Sequence, residues 1–345
     1  MTILKIFGWI IGFLFAYFIV IIFFPIMNVK KQPFKKNEII GEKEVPRCRE
    51  DIVFEACGEK ISGWLYLPEK KPTAFPCVVL SHGFGGTKDL TLENYALKFA
   101  EKGYAALTYD YRHYGESRGE PRQLLSATKQ LDDLRAAIEY ARSREDIDDE
   151  KIVLWGTSAG ASYGIVIAGE DEKIAGVVAQ CGSFDNKEDS KLAFKREGIG
   201  FFLKLFIHAQ RDKGRSRFGL SRHIIPAYGV PNSTAFLRTQ GVFDGVQRLA
   251  VDSKYFINEV CARFMLMPHA PNLLIRAINV RCPVQLLVCE KDEIVSPKSH
   301  LKIEKVLGDK VEVKLYPIGH FDIYFDEDFE KAVKDQLAFI EGVCL

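Results

Sequence analysis

The chain has 345 residues, with 47 lysine and arginine side chains against 46 aspartate and glutamate side chains, so its formal net charge is +1. Hydrophobic residues make up 47% of the sequence and charged residues 27%, which excludes intrinsic disorder and allows one or two domains with a sizeable core. Because nucleic-acid binding needs a strongly basic surface, the balanced charge argues against nucleic acid as a partner.

A long apolar segment opens the chain. Residues 6–29 contain no charged side chain, and a helix of this length exceeds the roughly 30 Å hydrocarbon layer of a bilayer. A cleaved signal peptide has a shorter apolar stretch that ends in small residues, whereas this one ends in FFPIMNVKK. We therefore predict an uncleaved transmembrane anchor at residues 1–29, in preference to a buried core helix, followed by a polar linker at residues 30–47.

Positive residues flank this segment unevenly. Lys5 precedes it, and Lys30, Lys31, Lys35 and Lys36 follow it. Since loops rich in lysine stay on the cytoplasmic side, this asymmetry predicts a single-pass membrane protein whose catalytic domain lies in the cytoplasm. The eight cysteines are dispersed without a CxxC pair, so we predict mostly free thiols, in agreement with that compartment.

Beyond the linker, short strand-like runs alternate with helical stretches such as TKQLDDLRAAIEYARS. This alternation predicts an α/β fold with a mostly parallel eight-stranded sheet, helices on both faces, and functional sites at the carboxyl ends of the strands. The eight predicted strands are Asp51–Cys57, Lys60–Leu67, Pro76–Ser81, Tyr104–Asp110, Lys151–Trp155, Ile174–Gln180, Val284–Glu290 and Val311–Tyr316.

The alternation fails across residues 183–280. This stretch contains two apolar, helix-like segments, LAFKREGIGFFLKLFIHAQR and SKYFINEVCARFML, joined by a piece with several Pro and Gly residues. We predict a helical cap there, inserted between the sixth and seventh strands, so that the core consists of residues 48–182 and 281–345. The run FFLKLFI inside the cap has more apolar surface than one helix face needs to bury. It either packs on both sides within the cap, or it lines an acyl pocket or rests on the bilayer.

The clearest local motif is LWGTSAG. Gly156, Thr157, Ser158, Ala159 and Gly160 spell G-x-S-x-G between a predicted strand and a predicted helix. A serine on such a turn has strained backbone geometry, which flanking glycines permit, and its hydroxyl points into the open. The motif predicts a nucleophile elbow, and the alternative is a glycine-rich turn without a catalytic role.

Two more motifs follow predicted strands. In VVLSHGFGG, the backbone amide of Phe84 can pair with that of Ala159 to hold a developing oxyanion. Asp292 follows the seventh predicted strand and His320 follows the eighth, and the chain order Ser, Asp, His is that of nucleophile-elbow hydrolases. Asp185, after the sixth strand, is the rival acid.

Together these motifs resemble those of the α/β-hydrolase superfamily over the globular part of the chain. DYRHYGESRGEPRQLL and VLWGTSAGASYG are similar to a dienelactone-hydrolase and thioesterase-like branch that includes fungal polyketide acyltransferases. The resemblance implies an eight-stranded fold with a variable cap. It also implies that Ser158 is the nucleophile, His320 the base and Asp292 the acid that orients the base. The amides of Phe84 and Ala159 would then hold the oxyanion.

We therefore predict a membrane-anchored serine hydrolase that cleaves a carboxylic ester or thioester through an acyl-serine intermediate. The substrate would be a small or lipid-like molecule with a lipophilic acyl group, since the anchor places the enzyme beside lipid. No sequence pattern indicates a cofactor or a metal ion. The alternatives are an acyltransferase with the same acyl-serine and a binding module without catalysis.

Overall fold

The structure, a computed structural model, describes residues 2–24, 28–35, 44–69, 74–268 and 273–344. The strands within these ranges are β1 (Arg49–Ala56), β2 (Glu59–Tyr66), β3 (Phe75–Ser81), β4 (Ala105–Tyr109), β5 (Ile147–Thr157), β6 (Ile174–Gln180), β7 (Ile224–Ile225), β8 (Val260–Cys261), β9 (Val284–Cys289) and β10 (Val311–Tyr316). The helices are α1 (Thr2–Phe23), α2 (Leu92–Glu101), α3 (Ala127–Arg142), α4 (Ala159–Ala168), α5 (Asn186–Arg217), α6 (Gln240–Ala250), α7 (Leu273–Ala277), α8 (Pro297–Leu307) and α9 (Asp326–Cys344). Short 3-10 helices lie at Ala262–Leu266, Gly308–Lys310 and Asp322–Tyr324.

Eight of the strands form one sheet, in the order β1-β2-β4-β3-β5-β6-β9-β10. Within this sheet β2 runs antiparallel to both of its neighbours, and the other pairs are parallel. The predicted mostly parallel eight-stranded sheet is confirmed, and each of its strands overlaps one that the sequence predicts. β7 and β8 pair with each other in a separate antiparallel sheet.

Helices cover both faces of the large sheet, because its central strands are apolar on both sides. In β5, Ile152 and Leu154 belong to the core beneath α3 and α4, whereas Val153 and Trp155 belong to the core beneath α2 and α9. This alternation follows from the two-residue period of a strand. The indole of Trp155 donates a hydrogen bond of 3.0 Å to Gln336, which fixes α9 against the sheet.

Between β6 and β9 the chain leaves the large sheet and forms α5, α6, α7, β7 and β8, a region that we call the cap. α5 bends at Gly198, whose φ of +71° lies in the left-handed region that favours glycine. Beyond the bend, Phe201 and Leu205 of α5 pack with Val246 of α6 in an apolar cluster separate from the two cores of the sheet.

The prediction of a second helical segment in the cap, at residues 253–266, is wrong. Residues 253–266 instead form a loop, β8 and a 3-10 helix. The Asp89 carboxylate accepts hydrogen bonds of 2.7 and 3.0 Å from the amides of Lys254 and Tyr255, and the Ser253 hydroxyl accepts one of 3.0 Å from the amide of Phe256. Since side chains bind these amides, the segment has an alternative to helical hydrogen bonding.

The apolar amino-terminal segment forms α1. Its window Ile6–Phe23 has a mean hydropathy of 2.7, and 12% of it is buried. A helix of this length and composition near the amino end is either a membrane span or a signal sequence. α1 ends at Phe23, whereas the charge-free segment continues to Val29, because proline at position 25 disfavours helical backbone at the residue before it.

Residues 28–35, which we call the strap, are held against the cap. The backbone of Lys35 exchanges two hydrogen bonds with the Gln247 side chain, at 2.8 and 2.6 Å. The ring of Phe34 packs with its centroid 5.1 Å from that of Phe243. The end of the strap, within the first described part of the predicted linker, therefore lies on the surface of α6.

Candidate active site

Ser158 occupies the turn between β5 and α4. Its φ is +54°, a left-handed value that is rare for a residue with a side chain. The turn is this tight because its neighbours lack side chains: a Cβ on Gly156 would lie 2.3 Å from the carbonyl oxygen of Gly160, and a Cβ on Gly160 would lie 2.4 Å from that of Ser81. This geometry is the one that the G-x-S-x-G motif predicts for a nucleophile elbow.

His320 and Asp292 follow the neighbouring strands β10 and β9 and form a buried pair. His320 donates a hydrogen bond from Nδ1 to Oδ2 of Asp292 at 2.5 Å. The other carboxylate oxygen accepts hydrogen bonds of 2.7 and 2.8 Å from the amides of Ile294 and Val295. The fixed carboxylate therefore holds the imidazole in the tautomer whose Nε2 can accept a proton.

Ser158 and His320 line one cavity of about 40 Å³ at the carboxyl edge of the sheet. Within the described ranges the Ser158 hydroxyl neither caps α4 nor makes a hydrogen bond to His320. Catalytic hydrogen bonds often tighten only when substrate binds. The cavity has room for a water molecule but not for an acyl chain, so substrate binding requires the lining side chains to move. These include Phe84, Tyr228, Leu237, Ile294 and Phe321.

Phe84 and Ala159 carry the two amides predicted to hold an oxyanion. Ala159 is the first residue of α4, so its amide belongs to the unpaired amino end of that helix. Phe84 lies in the loop after β3, where a Cβ on Gly83 would come within 3.1 Å of the Ser158 Cβ. In the described part of the chain neither amide donates to a backbone carbonyl, so both can donate to a ligand.

The cap holds the Phe84 loop from one side. The Tyr228 hydroxyl donates a hydrogen bond to the Phe84 carbonyl oxygen. The Phe84 ring lies 5.1 Å from the Phe236 ring and 5.3 Å from the Phe264 ring, centroid to centroid. The sequence alone does not indicate a role for Tyr228, because 144 residues separate it from Phe84 and no local motif marks it.

A buried ion pair holds the same loop from the other side. Lys88 and Asp110 are fully buried, with Nζ 2.6 Å from Oδ2, and the Lys88 amide donates to Oδ1 at 2.8 Å. A Glu116 oxygen lies 2.9 Å from the same Nζ. Because loss of either partner would leave a buried charge unpaired, we assign this network to holding the loop between β3 and α2.

Asp185, the rival acid, and the nearby His82 have other partners. His82 is buried and donates from Nδ1 to the Gly83 carbonyl at 3.0 Å, and its burial lowers its pKa and keeps the ring neutral. Asp185 accepts a hydrogen bond of 2.9 Å from the amide of Lys187 at the start of α5 and pairs with Lys302. These contacts place Asp185 at the amino end of α5 and not behind His320.

One group of side chains among the described residues lies close enough together to hold a metal ion. The ligand atoms of Cys181, Asp292 and His320 lie within 4.8 Å of one another. The hydrogen bond between His320 and Asp292 already engages two of these three side chains, so the arrangement suits proton transfer as it stands. Cys181 Sγ also lies 3.0 Å from Cys289 Sγ, and the eight cysteines are free thiols, as the sequence predicts.

The sheet order and the two layers of helices define an α/β-hydrolase, and comparison with known proteins identifies the family. The model of the Hydrolase_4 family, described as serine aminopeptidase, S33, matches residues 72–328. This chain belongs to that family.

Three related proteins match most of this chain. Quorum-quenching protein AidA of Acinetobacter baumannii is 35% identical over 301 residues, which cover 87% of this chain and 96% of AidA. Polyketide transferase af380 of Aspergillus fumigatus is 27% identical, and the match covers 85% of this chain and 97% of af380. Thiohydrolase aneE of Aspergillus aculeatus is 25% identical, with 83% of this chain and 90% of aneE covered.

A solved structure shares the fold. The α/β hydrolase GrgF from Penicillium sp. sh18 matches with a TM-score of 0.72 and 22% identity, over 87% of this chain and 99% of GrgF. This likeness confirms the predicted fold class. The family and the related proteins confirm the predicted enzyme class, a hydrolase of ester-type bonds.

Proposed function

We propose that this protein is a membrane-anchored serine hydrolase that cleaves a carboxylic ester or thioester. His320 takes the proton of the Ser158 hydroxyl while the serine oxygen attacks the acyl carbonyl. The amides of Phe84 and Ala159 donate to the oxyanion that forms. His320, held by Asp292, then gives its proton to the departing alcohol or thiol, which leaves an acyl-serine.

The acyl-serine is removed in a second step with the same groups. His320 takes a proton from water, the hydroxide attacks the acyl carbonyl, and the free acid leaves as Ser158 regains its proton. The observation that carries this proposal is the 2.5 Å hydrogen bond between His320 and Asp292 beside a serine in left-handed backbone geometry.

An apolar acyl group fits the surroundings of the serine. Aromatic side chains of the cap and the Phe84 loop line or border the cavity, and they belong to one apolar cluster. Each buried methylene contributes about 0.8 kcal/mol, so a site that opens between these rings favours longer acyl chains over acetate. The similarity to thiohydrolase aneE supports a thioester as one of the two possible substrate classes.

Membrane anchoring is supported by α1 and by the lysines around it. The helix is apolar and largely exposed, and a signal sequence is the competing interpretation. Lys30, Lys31 and Lys35 follow α1 in the described residues, and Lys36 lies outside them. This excess of lysine favours a cytoplasmic catalytic domain. Protease added to right-side-out vesicles should leave the domain uncut, and digestion without detergent would reverse the orientation.

Acyl transfer to an alcohol is a second candidate. The related protein af380 is named a polyketide transferase. The cavity of about 40 Å³ leaves little room for water, which competes with any other acceptor for the acyl-serine. An acyl donor assayed with and without candidate alcohols separates the two functions, because a transferase forms the new ester at the expense of free acid.

The test of the serine mechanism is labelling of the full-length protein with a fluorophosphonate. Wild type should be labelled and Ser158→Ala should not, with an unchanged melting temperature, because removal of one hydroxyl leaves little cavity. Ser162→Ala is the matched control, since this serine lies on α4 and its hydroxyl binds the Ser183 carbonyl. Equal labelling of wild type and Ser158→Ala would contradict the assignment, and an intact wild type without labelling would favour a binding module.

A series of p-nitrophenyl esters tests the acyl preference. Catalytic efficiency should rise from acetate towards medium chains, because the cap offers apolar side chains to each added methylene. A steady decline beyond acetate would contradict the lipophilic acyl group and leave the serine mechanism intact.

A further inference from the structure

α5 exposes an apolar stripe after its bend. Ile199, Leu203 and Phe206 follow one another at helical spacing and are 59%, 55% and 45% exposed. The opposite side of the same helix carries Phe201 and Leu205, which are buried in the apolar cluster of the cap. This helix is therefore apolar on both sides, one covered by protein and the other uncovered in the described part of the chain.

The carboxyl end of α1 packs on the continuation of this stripe. Four and eight residues beyond Phe206 lie Gln210 and Gly214, on the same side of α5. The Tyr17 hydroxyl donates a hydrogen bond of 3.0 Å to the Gln210 side chain. A Cβ on Gly214 would lie 2.5 Å from the Ile22 side chain, so glycine allows the two helices to approach closely.

Two arginines of α5 bind the end of α1. Arg211 donates to the carbonyl oxygens of Ile21 and Phe24, the latter at 2.7 Å, and Arg215 donates to that of Ile22 at 3.0 Å. These donors satisfy carbonyl groups that a helix end leaves unpaired, and their charge opposes the negative end of the helix dipole. The junction of α1 and α5 is therefore fixed by packing, hydrogen bonds and charge together.

The described part of α1 before Tyr17 does not pack against α5. The described side chains of α1 before Tyr17 are exposed, so α1 does not cover Ile199, Leu203 or Phe206. Leu203 is seven residues before Gln210, which places it about 10 Å along α5 from the junction. The uncovered stripe therefore starts where α1 emerges from the cap.

We propose that Ile199, Leu203 and Phe206 form a second membrane contact, with α5 lying in the interface of the bilayer that α1 crosses. This inference rests on the proposed membrane anchoring. An interfacial helix buries its apolar face about 5–10 Å into the boundary between headgroups and acyl chains. The exposed cations Lys204 and Lys213 beside the stripe suit anionic headgroups.

The consequence for the enzyme is that one helix separates the bilayer from the active-site cluster. Phe201 and Leu205, on the inner side of α5, belong to the same apolar cluster as Tyr228, with Phe84 packed against it. A substrate dissolved in the lipid therefore meets the cap at a helix whose inner side borders the apolar cluster around Phe84. The substrate class that this arrangement selects is an ester or thioester with its acyl chain in the membrane.

The test is tryptophan quenching by brominated lipid. Full-length protein is reconstituted in vesicles of phosphatidylcholine and phosphatidylglycerol, with or without brominated acyl chains. Leu203→Trp should add an emission component that brominated lipid quenches. Leu315→Trp is the matched control, because Leu315 is 58% exposed but lies on β10, and its added emission should stay unquenched. In wild type, Trp9 of α1 is exposed whereas Trp64 and Trp155 are buried, so any quenching reports insertion of α1.

The outcomes separate the two proposals. Quenching in wild type with additional quenching in Leu203→Trp supports the second membrane contact. Quenching in wild type without additional quenching in Leu203→Trp leaves the anchor in place and overturns the contact of α5, as would occur if a second copy of the chain covered the stripe. Absence of quenching in wild type overturns the membrane anchoring and this inference with it.

Discussion

The Tyr228 hydroxyl of the cap donates a hydrogen bond to the carbonyl oxygen of Phe84, the residue whose own amide we propose as an oxyanion donor. The same tyrosine is tied to the strap: Asn258 accepts from its amide at 2.9 Å, donates to its carbonyl at 2.8 Å, and donates to the Gln32 carbonyl at 2.8 Å. A chain of hydrogen bonds therefore links the segment that follows α1 to the loop beside Ser158.

Tyr228→Phe should lower kcat on the order of tenfold, because loss of one hydrogen bond lets the Phe84 peptide leave the orientation that an oxyanion requires. KM should change little, since the phenyl ring that lines the cavity is kept. The matched control is Tyr163→Phe, which removes a buried hydrogen bond of 2.9 Å to Gln130 between α4 and α3. Equal losses of kcat in both variants would show that Tyr228 acts only through general stability.

Asp292→Asn should reduce kcat by about 10⁴-fold with the fold intact, because an amide at this position favours the wrong tautomer of His320. Asp185→Asn should have a mild effect, since Asp185 is occupied at the start of α5 with Lys187 and Lys302. Rates and melting curves of both variants check this assignment. A severe loss in Asp185→Asn with a mild one in Asp292→Asn would reverse it.

Gly160→Ala should abolish fluorophosphonate labelling of Ser158, because the new Cβ would lie 2.4 Å from the Ser81 carbonyl oxygen and 2.8 Å from that of His82. Backbone atoms of β3 cannot yield as a flexible side chain would, so the turn itself must shift. Gly342→Ala is the control: no atom lies within 4 Å of its Cβ, and Gly342 lies in the last turn of α9, where alanine should not destabilise the helix. Normal labelling of Gly160→Ala would contradict the tight elbow.

Two histidines in the cap should make the protein sensitive to acid. His208 and His223 share a hydrogen bond of 2.8 Å, and burial, with Arg211 nearby, lowers their pKa values to about 4 and about 3. The folded state keeps both rings neutral, whereas the unfolded chain takes up protons below about pH 6.5. Stability is therefore full at pH 7 and is lost as the pH falls from about 6.5 towards 4.

The measurement is the melting temperature in detergent between pH 7 and pH 5. Each histidine contributes on the order of 1 kcal/mol to this pH dependence, after allowance for partial access of solvent. Between pH 7 and pH 5, the melting temperature of His208→Gln should decrease by less than that of wild type, whatever its value at pH 7. An equal decrease in both proteins would exclude this pair as the acid-sensitive element.

The sequence predicts the sheet well because its signals are local. Buried parallel strands have continuous apolar runs, which mark their positions in the sequence. The motifs of the site directly follow these runs. Gly156 and Gly160 around Ser158, and the order in which Asp292 and His320 follow it, are readable without any knowledge of tertiary contacts. The hydrogen bond between Asp292 and His320 then follows from the adjacency of β9 and β10.

The cap is harder to predict because long-range contacts decide its structure. The aromatic residues at 253–266 have helical spacing, but the Asp89 carboxylate, 165 residues away from Lys254, binds the backbone amides that a helix would use. The contact of Tyr228 with Phe84 and the path of the strap over α6 are likewise set by residues distant in the sequence. Patterns within a window of residues carry no information on such pairs.

The arginines that bind the end of α1 also set an order of events in biosynthesis. The carbonyl group of Ile21 is bound by a side chain made 190 residues later. Until Arg211 and Arg215 have left the ribosome, the carbonyl groups in the last turn of α1 lack the donors that α5 supplies in the finished protein. The end of α1 thus reaches its final hydrogen bonding only after α5 has been made. Removal of α1 from the finished protein would leave the buried guanidinium group of Arg211 without its acceptors.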